Sequence, residues 1–102
     1  MPNSDGADVE DNPEAGRFEL VVDGHLAELT YERTADRLVL IHTGVPEDLE
    51  GQGLGGRLVR AAIGVAARDD LTVVPKCPFA RRWLERHPDE VGEVSIEPPP
   101  PG

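Results

Sequence analysis

Cysteine is almost missing from this chain of 102 residues, where Cys77 stands alone. A single cysteine excludes an internal disulfide framework and a multi-cysteine zinc site. Positive charge is scarce as well. Ten Lys+Arg face twenty Asp+Glu, for a formal net charge of −10, whereas a general nucleic-acid binder needs a basic face to neutralise phosphates. No apolar run approaches the ~20 residues that span a bilayer. The first ~25 residues also lack the basic start and apolar stretch of a secretory signal. These absences predict a soluble protein of the reducing cytoplasm, with neither nucleic acid nor membrane as partner and no metal.

The length suits one small domain, and composition sets its expected limits. Residues 1–16 carry five acids and no base, with only Ala7, Val9 and Ala15 beyond Met1 as apolar side chains. Such a segment buries too little apolar surface to offset its conformational entropy, so a disordered acidic leader is expected there. Residues 97–102 (EPPPPG) read as a disordered Pro-rich tail. The working domain is therefore 17–96. Beyond the leader the chain holds fifteen acids and ten bases, a net charge of −5.

Within the domain, Arg17–Val22 is apolar with partial alternation and runs into Asp23-Gly24, a two-residue hairpin signal because both positions tolerate positive φ. His25–Arg33 alternates Ala27, Leu29 and Tyr31 against Glu28, Thr30 and Glu32, a strand with one wet face. Arg37–Thr43 is continuously apolar and reads as a strand covered on both faces. Leu54, Leu58, Ala61, Ala62 and Val65 then recur at helical spacing over Leu54–Arg68, with Arg57, Arg60 and Arg68 opposite. Leu71–Val74 reads as a short buried strand, Phe79–His87 as a helix stopped by Pro88, and Val91–Ile96 as a weak last strand. The fold class is α+β: an antiparallel meander followed by α-β-α on a mixed sheet.

Between meander and helix, Gly44–Gly56 places five glycines and one proline in thirteen positions. Glycines at a helix start let anionic oxygens approach several main-chain N–H groups, and the helix dipole adds to the attraction. A P-loop is excluded, because Arg57-Leu58 follows the glycines where Lys-Ser/Thr is required. A dinucleotide fingerprint forced onto Gly51, Gly53 and Gly56 fails, since several residues separate it from the strand and only one βαβ unit fits. A permissive entry loop with no ligand stays open.

The segment from Val45 through Glu50, Gly51, Gln52, Gly53, Leu54, Gly55, Gly56 and Arg57 resembles the acetyl-CoA motif of the GCN5-related N-acetyltransferase (GNAT) superfamily. Gly53 and Gly55 align with its glycines, while Glu50 stands where Arg or Gln is usual. A carboxylate there repels pyrophosphate unless it points away. The spacing onward through Val73-Val74-Pro75-Lys76-Cys77-Pro78-Phe79 to Leu84 and His87-Pro88 is similar to the small single-domain branch of that superfamily, so the likeness covers residues 17–90. The resemblance implies a GNAT-like fold and acetyl-CoA as acetyl donor, with an amine as acceptor. It implies donor contacts from Thr43, Val45, Gly51, Gln52, Gly53, Leu54, Gly55, Gly56, Arg57 and Phe79. A monomer or weak dimer is expected.

Acyl transfer to an amine needs a polarised carbonyl, a deprotonated amine and a proton for the departing thiolate. Main-chain N–H groups near Thr43–Val45 are implied for the first. Glu28 and His42 are candidates for the base, against the plainer readings of a wet strand face and a satisfied core histidine; a base acting through water is also open. Larger GNAT enzymes often use a Tyr after the fourth strand as the acid, where this chain has Cys77 and Phe79. Cys77 before Pro78 reads as a helix N-cap with Lys76, Arg81 and Arg82 nearby, features that activate a thiol. It is a candidate proton donor or acetyl-carrying nucleophile, or else a small buried residue. The expected activity is N-acetylation of a small-molecule amine or a protein Lys. The alternatives are a non-catalytic CoA or acyl-CoA binding module, and an interaction domain that has lost the ligand.

Overall fold

The computed structural model describes residues 9–97. Five strands form one sheet in chain order: β1 Glu10–Asn12, β2 Arg17–Val22, β3 His25–Arg33, β4 Arg37–Gly44 and β5 Thr72–Pro75. The first four are antiparallel, and β5 joins β4 in parallel through the crossover helix α1, Leu54–Asp69. Two further helices follow, α2 Pro78–Arg86 and the single turn α3 Pro88–Val91. The expected α+β class with a mixed sheet is the one found.

Local chemistry explains the elements. Asp23 (φ 52°) and Gly24 (φ 81°) are both left-handed, and Val22 pairs directly with His25, which is the tight two-residue hairpin that matches strand twist. Period-two alternation then puts Phe18, Leu20, Ala27, Leu29, Tyr31, Leu38 and Leu40 on one face. That face packs on Leu58, Val59, Ala62 and Ala66 of α1 and on Ala80, Trp83 and Leu84 of α2 in a single apolar core.

Four expectations change. The leader does not extend to residue 16: Glu10–Asn12 pair with Glu19–Arg17, and Val9 packs on the core. Hydrogen bonds add to that packing. Tyr31 donates its hydroxyl to Asp11, Asn12 Nδ2 donates to Glu19 at 3.2 Å, and the Tyr31 N–H donates to the Gly16 carbonyl at 2.8 Å. Residues 1–8 of that leader, and 98–102 of the Pro-rich tail, lie outside the described residues.

Strand β4 is not covered on both faces. Register slips between Thr30 and Tyr31, which pair with His42 and Leu40, so Ile41 is an extra bulged residue. Beyond the bulge, Thr43 takes the core side opposite buried Leu29, while His42 faces outward and is exposed, so it is not a core histidine. Finally, Val91–Ile96 is not a strand. Pro88 starts the turn α3, Gly92 (φ 60°) ends it, and the chain meets the sheet again at residues 95–97. There Ile96 bridges Val73 in parallel, the Val73 N–H donates to the Ser95 carbonyl at 2.9 Å and the Glu97 N–H to the Val73 carbonyl at 2.8 Å.

Candidate active site

The site arises where the parallel ladder ends. Pairing between β4 and β5 stops at Leu40 and Pro75, and the N–H groups of Lys76 and Cys77 both donate to the Leu40 carbonyl, at 2.9 and 3.0 Å. Beyond that point β4 continues alongside β3 while the chain turns into α2. A groove of about 340 Å³ opens there, lined by Thr43, Val45, Leu49, Glu50, Gly51, Gly53, Leu54, Gly55, Gly56 and Phe79.

Helix α1 points its N-terminus into this groove. Gly53, its N-cap, is left-handed (φ 76°) and offers no side-chain cap, and the first turn carries no acid. The first helical bond runs from Arg57 N–H to the Gly53 carbonyl at 3.2 Å, so the N–H groups of Leu54, Gly55 and Gly56 have no partner within the helix. Such a terminus attracts an anion through both its donors and its dipole.

The glycines divide by cause. Gly51 (φ 88°) and Gly53 have open space around them and are needed for their backbone conformation. Gly55 and Gly56 instead make room for α2: an added Cβ would lie 2.8 Å from the Phe79 ring and 2.5 Å from Trp83 Nε1, respectively. The second constraint is the harder one. Phe79 is 42% exposed and can swing away, whereas Trp83 is 8% exposed and stacked on His87 with ring centroids 4.2 Å apart. Two of the loop glycines therefore have a packing reason independent of any ligand.

The other predicted residues fall into four places. Gln52 is exposed and Arg57 half-buried, and neither lines the groove. Arg60, a possible phosphate ligand by sequence, is engaged elsewhere: it holds Glu90 through two hydrogen bonds of 3.1 and 3.3 Å and lies 5.7 Å from the Trp83 ring centre. Cys77 occupies the α2 N-cap but makes no side-chain cap bond. It is 3% exposed, and its Sγ lies 3.3 Å from the Thr43 hydroxyl, so it reaches the groove only through Thr43.

Glu28 and His42 lie together on the outer face of the sheet. A Cβ built on Gly44 would be 3.7 Å from Glu28 Oε2 and 3.8 Å from His42 Nε2. Arg17 donates to Glu28 at 2.9 Å and to Glu19 at 2.6 Å, and those carboxylates raise the pKa of its guanidinium further. The only tyrosine, Tyr31, is far from an acid's role. Burial and its bond to Asp11 push its hydroxyl pKa upward. Leu49 of the groove wall went unrecognised in the sequence, although Val45 and Leu49 are the only apolar residues between Gly44 and Leu54.

The chain is thus an α+β domain whose sheet parts beside an open helix N-terminus, with Glu28 and His42 on the outer face of that sheet. A family model described as GCN5-related N-acetyl-transferase matches residues 17–94, and the chain belongs to that family. The solution structure of a protein from Staphylococcus aureus described as GCN5-like superposes with a TM-score of 0.66 at 29% identity, covering 88% of this chain and 87% of that one. Protein NATD1 of chicken (Gallus gallus) and of mouse (Mus musculus) is 32% identical over 63 residues, 61% of this chain. The match spans 57% of the length of those relatives. Among the described residues, no helix is long and apolar enough to cross a membrane.

Proposed function

We propose that this protein transfers an acetyl group from acetyl-CoA to an amine of a small molecule or a protein Lys. The observation that carries this reading is the uncapped, acid-free start of α1 in the groove between β4 and α2. The Gly51–Arg57 main chain would hold the diphosphate, with Thr43, Val45 and Phe79 along the pantetheine. Acetyl-CoA supplies an activated thioester. Main-chain N–H groups near Thr43–Val45, where β4 ends, would polarise its carbonyl. Glu28 or His42, which meet at Gly44, would take the proton from the attacking amine. As the carbon–sulfur bond breaks, the departing thiolate takes a proton, for which the Thr43–Cys77 pair is the candidate donor.

A second reading is favoured by two specific features. Tyr31 is committed to Asp11 and Cys77 is buried, which fits a module that binds CoA or an acyl-CoA without turning it over. Thiol release from acetyl-CoA with a panel of polyamines and amino acids separates the two, turnover being expected for the transferase and binding without turnover for the module. Replacing Cys77 by Ala is expected to slow turnover at least tenfold while donor binding, read by calorimetry, is retained. Undiminished turnover removes Cys77 from the chemistry.

A further inference from the structure

Among the described residues, the groove has one ionisable lining residue, and its sign is wrong for an anion. Glu50 stands beside Gly51 and Gly53; the rest of the lining is hydroxyl, aliphatic, aromatic or glycine. Glu50 is exposed, and its N–H closes the short 3-10 turn Glu47–Leu49 by donating to the Glu47 carbonyl at 3.2 Å. The turn thus fixes the backbone that carries Glu50 at the wall of the groove, which the first turn of α1 also lines. Ionised Glu50 offsets the positive potential of that helix end instead of adding to it.

Resting on the donor-binding reading above, we infer that Glu50 is an affinity- and charge-setting residue of the donor site. It weakens the hold on the diphosphate, so that the ligand is retained by main-chain hydrogen bonds and pantetheine contacts rather than by net charge. The site then ranks ligands less steeply by phosphate content than an anion site lined by a base would. One carboxylate removed at several ångströms from two phosphate charges, in a largely aqueous dielectric, changes affinity by about threefold to tenfold at low salt.

The test is calorimetry of the full chain with CoA, dephospho-CoA and pantetheine, comparing wild type with Glu50→Gln, Glu50→Lys and the control Glu47→Gln. Glu47 is exposed on the same turn, does not line the groove, and changes net charge equally when neutralised. Glu50→Gln is expected to tighten CoA and dephospho-CoA by about threefold to tenfold, and Glu50→Lys by more. Pantetheine affinity should stay unchanged, and the gain should shrink as salt rises. Unchanged CoA affinity in Glu50→Gln, an equal gain for pantetheine, or an equal gain in Glu47→Gln overturns the inference while leaving the donor-binding reading standing. If CoA binds neither wild type nor Glu50→Gln, the donor-binding reading fails and the inference falls with it.

Discussion

The two ends of α1 are built on opposite plans. At the C-terminus the protein satisfies itself. Asp70 adopts the left-handed conformation (φ 60°) and its N–H, like that of Leu71, donates to the Ala66 carbonyl, a closed end of the kind that consumes orphan carbonyls. Around it, Asp69 is gripped by Arg33 at 3.0 Å and Arg68 at 2.9 Å. At the N-terminus there is neither a side-chain cap nor a compensating acid in the first turn, only Gly53 and its neighbours. The fold closes one end of the helix with its own residues and leaves the other open. Unsatisfied main-chain donors facing a groove cost stability unless water or a ligand meets them.

That contrast can be broken most forcefully at the N-terminal end. Gly56→Ala would gain helix propensity, yet its Cβ would lie 2.5 Å from a buried Trp83. We expect a net loss of about 1–3 kcal/mol in urea unfolding; a gain would mean that α2 yields and that Gly56 is not a packing residue. Gly64→Ala, in the same helix, has nothing within 4 Å of the added carbon. It should stabilise by about 0.5–1 kcal/mol, and a loss would contradict the open space at that position.

The C-terminal end is tested through pH. Arg68 first, with Arg33, holds the Asp69 carboxyl down at about 2, below its ordinary 3.8. A depressed carboxylate contributes stability above its unfolded value and loses it as pH falls through the folded one. The melting-temperature difference between wild type and Asp69→Asn should therefore be present at pH 6 and vanish near pH 2. The effect should be small, because the pair is exposed to solvent. A difference that grows with acid would contradict the assignment.

The sheet's main strands and both longer helices were legible in the chain because local signals decide them: Asp23-Gly24 sets a hairpin, apolar spacing sets α1, and Pro78 and Pro88 bracket α2. Strand β1 was not, since Asp11 and Asn12 are held by Tyr31 and Glu19, partners distant in sequence. The bulge at Ile41 was equally hidden, because one extra residue has meaning only against the facing strand, and it alone moves His42 from core to surface. Eight of the ten residues expected to touch the donor line the groove, together with Leu49 and Glu50. The glycine cluster itself was read with one cause where the structure has two. A glycine that clears Trp83 and a glycine that permits φ 76° look alike in a sequence.

The most direct trial of the account is amide mapping of isotope-labelled protein as acetyl-CoA is added to millimolar concentration. Resonances of Gly51–Arg57 and Thr43–Val45 should move, while those of Ala66–Leu71, at the self-satisfied end of the same helix, stay in place. A loop whose amides remain fixed throughout the titration, or shifts gathered at the closed end instead, would contradict it.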